Sequence, residues 1–397
     1  MTVWIEAPFD SLPIEGYRKQ RYWLMAEAFA AAGHRVVYWT SDFSHAKKRF
    51  RFQVPGSRFQ VSGSKGIELR FVKTRPYRKN VSWARVRSHR AYAREWERQA
   101  VEFVAQSDNR TIEQSNNSPD LVISSIPPIS AAVTGLKLAR RFGAKFVLDV
   151  MDAWPETFER LAPTGFRWLA KLLLSSLRRT VRRLYREADL VTGVCERYRE
   201  LTGRPDYYLA YHGIEVGEKR LANSQRPTAD SSVIRLAYIG NLGKTYDLKT
   251  VAEGVELLKK RGVSVTLDIA GFGDSAVRLP TATADLRFHG MLGEAALGNL
   301  LADCDIGIIP MKPDSWVGLP YKLCDYATAD LRIVSSLGGE SGRLLEKYRC
   351  GVLYRPGDAQ SFADAVVAAQ NCRGGRVLVE QVLDAKKIYR EYVEKVL

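Results

Sequence analysis

With 60 Lys and Arg against 44 Asp and Glu over 397 residues, the chain carries a net charge of +16, which points to an acidic partner: nucleic acid, anionic lipid or a phosphorylated substrate. The length exceeds what one core usually holds, so two domains of about 200 residues are the default. No run of about 18 uncharged apolar residues is present, which excludes an expected transmembrane helix. The start, Met1 to Pro8, has neither a basic n-region nor a cleavable apolar segment, so it reads as a first strand and not as a signal peptide. Cys195, Cys304, Cys324, Cys350 and Cys372 lack any C-x-x-C spacing; reduced core thiols in a cytosolic protein are expected, not disulfides or zinc.

Val3 to Ala7 is a short apolar strand, Arg18 to Ala32 has helical apolar spacing, and Val36 to Trp39 is the next strand. This βαβ unit places the loop around Gly16 at the carboxyl edge of a parallel sheet, where it meets a ligand or simply turns the chain. Arg18, Lys19 and Arg21 oppose the helix dipole at that helix start, which an anionic ligand or partner would explain. From Lys73 to Arg98 the chain is strongly basic, including Arg85 and Arg90, with Tyr77, Trp83, Tyr92 and Trp96 interleaved. A solvated helix face accounts for this pattern; so does a surface that meets lipid headgroups.

Asp120 to Ser125 and Lys145 to Val150 are strands. The second ends in Asp152-Ala-Trp-Pro-Glu156, at the sheet edge where open α/β folds hold ligands. Asp152, Trp154 and Glu156 are candidates there, and capping a helix is the equal alternative. Gly165 to Glu187 reads as one helix with Phe166, Leu169, Leu173, Leu177 and Leu184 on one face. Arg178, Arg182 and Arg186 lie on the other. With no helix-turn-helix, zinc or RNP pattern, nucleic acid is disfavoured and an anionic membrane surface is preferred. Val216 to Ser232 is polar and patternless, a linker.

A second βαβ series begins at Ile234. Gly240-Asn-Leu-Gly-Lys244 ends its first strand. The Gly-Lys-Thr is not a Walker motif, because Tyr238 stands where the first glycine belongs. Gly271 closes the next strand and Gly290-Met291-Leu292 a third, where backbone could read a base edge. Asp303-Cys-Asp305 resembles a metal-binding D-x-D but sits between a helix and a strand, where Asp commonly caps. No metal site is expected. Ile306 to Pro310 is a buried strand; Gly318-Leu319-Pro then breaks the chain before a helix carrying Lys322 and Asp325. Free N–H groups, the dipole and Lys322 favour a phosphate there, and Asp325 one turn on suits a ribose diol.

These features together resemble a GT-B glycosyltransferase, most similar to the bacterial polysaccharide-assembly members of glycosyltransferase family 4. The resemblance rests on Arg21 and Gly33-His-Arg-Val36, on Asp152 to Glu156, on Tyr238 to Gly243, on Gly318 to Tyr326 and on the strand Leu331 to Ser336. It implies an α/β protein of two Rossmann-like domains facing across a cleft: acceptor-binding and membrane-facing over 1–217, donor-binding over 218–382, with a helix over 383–397 returning to the first. It implies that Lys244 and Lys322 hold the donor diphosphate, Asp325 the ribose, and Gly240, Asn241, Gly243, Gly271, Gly290, Met291, Leu292, Gly318 and Leu319 line the donor site. Gly16, Arg18, Arg21, Trp154 and Glu156 would meet the acceptor, and Asp152, Lys244 and Lys322 would be catalytic. The family's paired-glutamate motif is broken: Val317 replaces the first acid and Asp325 the second. The expected activity is transfer of a sugar from a nucleotide diphosphate sugar to a lipid-linked acceptor, without cofactor, at the cytoplasmic face of the inner membrane. A nucleotide-sugar 2-epimerase of the same fold, and a non-catalytic nucleotide-sugar or nucleic-acid binder, are the alternatives.

Overall fold

The computed structural model describes residues 1–51, 58–60, 66–106, 117–215, 233–243, 245–273, 285–313 and 317–397. It contains two compact units: Met1–Gly213 together with Ala385–Leu397, and Ile214–Asp384. The linker expected over 216–232, with the 217/218 boundary, lies outside the described residues.

Strands of the first unit are β1 (Thr2–Glu6), β2 (Arg35–Ser41), the small hairpin β3 (Phe43–Ser44) and β4 (Arg49–Phe50), β5 (Arg58–Gln60), β6 (Ile67–Val72), β7 (Leu121–Ile126), β8 (Lys145–Val150), β9 (Leu190–Gly193) and β10 (Tyr208–Leu209). Its helices are α1 (Arg21–Ala31), α2 (Trp83–Ala105), α3 (Ile129–Phe142), α4 (Glu156–Leu161), α5 (Arg167–Leu173), α6 (Ser175–Glu187) and α7 (Arg197–Thr202). The second unit has β11 (Val233–Asn241), α8 (Leu248–Lys260), β12 (Ser264–Phe272), β13 (Leu286–Gly290), α9 (Glu294–Ala302), β14 (Ile306–Ile309), α10 (Tyr321–Thr328), β15 (Arg332–Ser335), α11 (Gly339–Tyr348), β16 (Gly351–Leu353), α12 (Ala359–Ala369) and α13 (Arg376–Leu378); α14 (Ala385–Val396) then closes the chain.

The first sheet runs β10-β9-β8-β7-β1-β2-β6-β5, the second β13-β12-β11-β14-β15-β16. Every neighbour is parallel except β5 on β6. Strands covered on both faces read as continuous apolar runs, and β1, β7, β8 and β14 do. In each sheet the chain order reverses beside the first strand, between β1 and β7 and between β11 and β14. Such points leave a crevice at the carboxyl edge.

Helix α1 starts at Arg21, later than the expected Arg18, with Gln20 as its extended N-cap. Arg21 points into the interior of the unit. It is buried, and its Nε and Nη2 each donate to Asp149 at 2.8 Å. Its Nη1 donates to the carbonyls of Ala210 and Tyr211 at 2.6 and 3.0 Å. Tyr22 and Thr192 hydroxyls complete the cage around Asp149 at 2.8 and 2.6 Å. Burial pushes the Asp149 carboxyl up, but Arg21 and these donors hold it below the ordinary range. The expected acceptor role of Arg21 gives way to a buried tie between α1, β8, β9 and the residues after β10.

Helix α14 belongs to the first unit. Its buried Ala385, Tyr389, Tyr392, Val393 and Val396 form one face, and Tyr392 meets Phe29 of α1 edge-on with ring centres 6.5 Å apart. Gly213 admits this helix: a Cβ there would stand 2.7 Å from the Ala385 Cα.

Two further expectations are corrected. The helix expected over 165–187 breaks at Leu174 into α5 and α6. Of the apolar stripe, Phe166 and Leu173 are 62 and 74% exposed, as are their neighbours Trp168 and Leu172 at 66 and 63%. Leu169 and Leu177 are half-buried and Leu184 alone is buried, so the stripe packs inward only at its carboxyl end. In α2 the reverse holds: Tyr92 and Trp96, with Tyr77 before the helix, are buried in the core, and Trp83 alone of the interleaved aromatics is exposed.

Candidate functional site

At the reversal point of the second sheet, β11 ends in Gly240 and α10 follows β14. Tyr326 fixes the helix there: its hydroxyl accepts from the Ile239 N–H and donates to the Ile308 carbonyl, both at 3.1 Å. Its ring occupies the space that any side chain at Gly307 would need, 2.2 Å from a Cβ there. One turn earlier, Lys322 is buried against the end of β11. Its ammonium donates to the Tyr238 hydroxyl at 3.1 Å and lies 4.2 and 3.6 Å from the ring centres of Tyr238 and Tyr246. Burial pushes it down to about 7, against the pull of Asp325, three residues on and half-buried on the same helix. A cation held by a phenol and two ring faces has most to gain from an arriving anion.

Glycines shape the backbone around it. Gly240 has φ +105, and a Cβ there would sit 3.8 Å from the Lys322 Nζ. Gly271 has φ +158, and its Cβ would collide with the Gly240 carbonyl at 1.8 Å. Only glycine lets the ends of β11 and β12 close in this way. Asn241 is exposed, and its carbonyl accepts from the Tyr238 hydroxyl at 2.6 Å; Gly243 packs beside the Asn241 side chain. Gly318 accepts from the Ser341 hydroxyl at 2.5 Å, which ties the glycine loop to α11, and Leu319 is buried. Gly290, at φ +65, has open space around it, and Met291 after it is exposed. Lys244 lies outside the described residues.

Asp305 accepts from the Arg235 N–H at 2.9 Å, at the amino end of β14 and so at the opposite edge from Lys322. That is the capping role. Among the described residues no group of three or more His, Cys, Asp or Glu is placed to hold a metal ion. His289 bonds to Asp268 at 2.6 Å.

In the first unit Asp152 stands just past the end of β8. Burial raises its carboxyl, while the Thr157 hydroxyl and Trp154 indole N–H donate to its two oxygens at 3.1 and 3.0 Å. Trp154 also faces Arg85, whose guanidinium lies 5.0 Å from its ring centre. Arg85, expected on the lipid-facing surface, instead reaches into this edge, and only Arg90 of that pair is exposed on α2. Glu156 and Glu159 both pair with Arg178, which is therefore no free surface cation; Arg182 and Arg186 are exposed. Gly16, at φ +81, bonds back to Pro13 as a turn, and Arg18 is half-buried.

The sequence reading missed Tyr238, Tyr246 and Tyr326, which enclose Lys322 and position its helix. Gly307 inside an apolar strand was the available sign, since glycine there marks a close approach.

Residues 19–207 match the family model described as a glycosyl transferase 4-like domain, and residues 234–371 the one described as glycosyl transferases group 1. The amylovoran biosynthesis glycosyltransferase AmsK of Erwinia amylovora is 26% identical over 169 residues, 40% of this chain and 41% of that protein. In fold the chain is similar to Anabaena Alr3699/HepE in complex with UDP and glucose, at a TM-score of 0.65 and 13% identity over 100% of this chain and 99% of that one. It is also similar to the apo lipopolysaccharide outer core galactosyltransferase WaaB, at 0.62 and 11% over 100% and 99%. At these identities the two structural likenesses concern the fold.

Proposed function

We propose that this chain, which belongs to the family 4-like glycosyltransferases of GT-B fold, moves a sugar from UDP to a lipid-linked saccharide acceptor in cell-surface polysaccharide synthesis. The observation that carries the donor half is Lys322, buried in its tyrosine enclosure beside Gly240 at the reversal point of the second sheet. As the sugar leaves, negative charge gathers on the diphosphate, and a cation already desolvated there stabilises that charge with no reorganisation. Lys244 is assigned a second cation's part, Asp325 the ribose, and the amides of Gly318 and Leu319 the sugar–phosphate. The transfer proceeds with retention, the departing phosphate taking the acceptor's proton, and Asp152 positions the acceptor. No cofactor beyond the donor is assigned. Uridine as the base is supported by the UDP and UDP-glucose complexes of HepE, and the polysaccharide setting by AmsK and WaaB.

A thermal-shift screen of the full chain against UDP, GDP, dTDP and ADP tests the donor site. A ligand that binds only the folded state raises the midpoint by mass action. UDP should shift it and the others should not. No shift with any of them would overturn the donor assignment.

The membrane side of the proposal rests on α5 and α6. Helix α5 buries none of its residues, and four large apolar side chains stand exposed on it and at its start. Beside it, α6 lines a hollow of about 830 Å³ with Arg179, Arg182, Arg183 and Arg186. Apolar side chains beside cations suit the boundary of an anionic leaflet. No helix of the described residues is long and apolar enough to cross a membrane. Replacing Trp168, Leu172 and Leu173 with glutamine should reduce binding to phosphatidylglycerol vesicles by roughly tenfold or more, given the apolar area withdrawn from water. Unchanged co-sedimentation would remove α5 from the membrane contact.

A further inference from the structure

Past the carboxyl ends of β1, β2 and β8, the first unit gathers a group of side chains that the donor chemistry does not use. Arg85, in the first turn of α2, lies 5.1, 5.9 and 5.0 Å from the ring centres of Phe9, Tyr77 and Trp154. Its Nε donates to His89 Nε2 at 3.2 Å and its Nη1 to the Asn80 carbonyl at 2.9 Å. Lys48, in the β3–β4 turn, approaches Tyr77 too, with its ammonium 4.7 Å from the ring centre. It donates to Asn80 Oδ1 at 2.6 Å and lies 3.3 Å from His45 Nδ1. Two cations therefore share one tyrosine ring and one asparagine. Among the described residues neither forms an ion pair.

That arrangement is unfavourable for an empty protein. Both cations are partly desolvated: Lys48 is pushed down to about 8, first by burial and then by Arg85, while burial lowers Arg85 against the pull of Tyr77 and Asp152. His45, pushed down to about 3 by burial and then by Lys48 and Arg85, and His89, pushed down to about 3 by burial and then by Arg85, stay neutral and do not add charge. The α2 dipole also disfavours a cation at Arg85. Lys48 holds φ +53, a left-handed conformation that a lysine adopts at a cost. Strain and unpaired like charge held together at a sheet's ligand edge mark a place where an anion restores the balance. Aromatic faces beside it suit a sugar ring, and Asp152 shares Trp154 with Arg85.

We propose that Lys48 and Arg85 form an anion site for the phosphoryl group that joins the acceptor saccharide to its lipid, with Trp154 as the platform for the adjoining sugar. This rests on the glycosyl-transfer reading above, since it assigns that reading's acceptor. A diphosphate fits better than a single phosphate, because its two charges match the two cations.

Inorganic pyrophosphate, titrated calorimetrically into the full chain with and without excess UDP, reads the site without turnover. Wild-type protein should keep a pyrophosphate-binding event that UDP does not displace. Arg85→Gln and Lys48→Gln should each weaken that event by roughly tenfold to a hundredfold, the range for a lost charge-assisted hydrogen bond, with the UDP isotherm unchanged and the thermal midpoint not lowered. A wild-type isotherm in both variants, or no event beyond the UDP-displaceable one, overturns the proposal. So does a result in which the variants lose binding to phosphatidylglycerol vesicles but keep pyrophosphate, which would assign the pair to a lipid headgroup. Failure of UDP to bind, with the pyrophosphate event intact, would instead count against the donor reading alone.

Discussion

Lys322→Met should weaken UDP binding by roughly tenfold to a hundredfold, the range for a hydrogen bond to a charged group, while uridine binding stays the same. Methionine keeps an unbranched apolar chain and removes the ammonium together with its bond to the Tyr238 hydroxyl, and the difference between UDP and uridine isolates the diphosphate. The pH dependence is the sharper test. In the free protein Lys322 is pushed down to about 7 by burial, so above that pH its ammonium is mostly deprotonated. A diphosphate stabilises the charged form, and binding must then draw a proton from solution. At pH 8.5 calorimetry in buffers of different ionisation enthalpy should show net proton uptake by the wild type and none by Lys322→Met. UDP affinity should fall with rising pH above about 7 in the wild type and hold level in the variant. In the absence of ligand the sign reverses. Between about 7 and the ordinary lysine value of 10.5 the unfolded chain binds the proton that the folded one lacks, so this group's contribution to stability rises with pH. Absence of proton uptake on UDP binding would place Lys322 outside the phosphate site.

The second large effect concerns stability. Arg21→Met should cost about 3–5 kcal/mol, because it leaves Asp149 charged and buried without its partner. Urea unfolding at pH 7 measures this. Adding Asp149→Leu should restore part of the loss, since an apolar pair of similar volume needs no desolvated charge. Nucleotide binding by the remaining folded protein should not change. An acceptor role for Arg21 would appear instead as a raised acceptor KM at unaltered stability, and that outcome would refute the structural role.

What could be read from the chain was what is local. Strand ends at Gly240, Gly271 and Pro310, and the helix start at Tyr321, follow from apolar runs closed by glycine or proline, so the neighbourhood of Lys322 could be located. The tyrosines around that lysine could not, because Tyr238 and Tyr246 reach it only once β11 and α10 are laid side by side. Arg21 was misread for the same reason. Its partner is 128 residues away, and nothing near Arg21 distinguishes a buried guanidinium from one facing an anion. The break at Leu174 has no proline or glycine to announce it. The inward turn of Tyr92 and Trp96 was legible: with Ala100 and Phe103 they recur every three or four residues, a core stripe. Reading that segment by its composition concealed the periodicity.

Ile214 and Asp384 pair with one another, and the Ile214 N–H reaches the Leu383 carbonyl at 2.9 Å. The second unit therefore opens and closes at the same spot, a continuous cassette spliced into a fold that finishes itself with α14. An exchange of residues 214–384 between relatives needs no new loop and leaves the tyrosine face of α14 on α1 untouched. On the proposed assignment, donor preference would be inherited as a single block of sequence, while the unit proposed to handle the acceptor, interrupted but whole, would diverge on its own schedule.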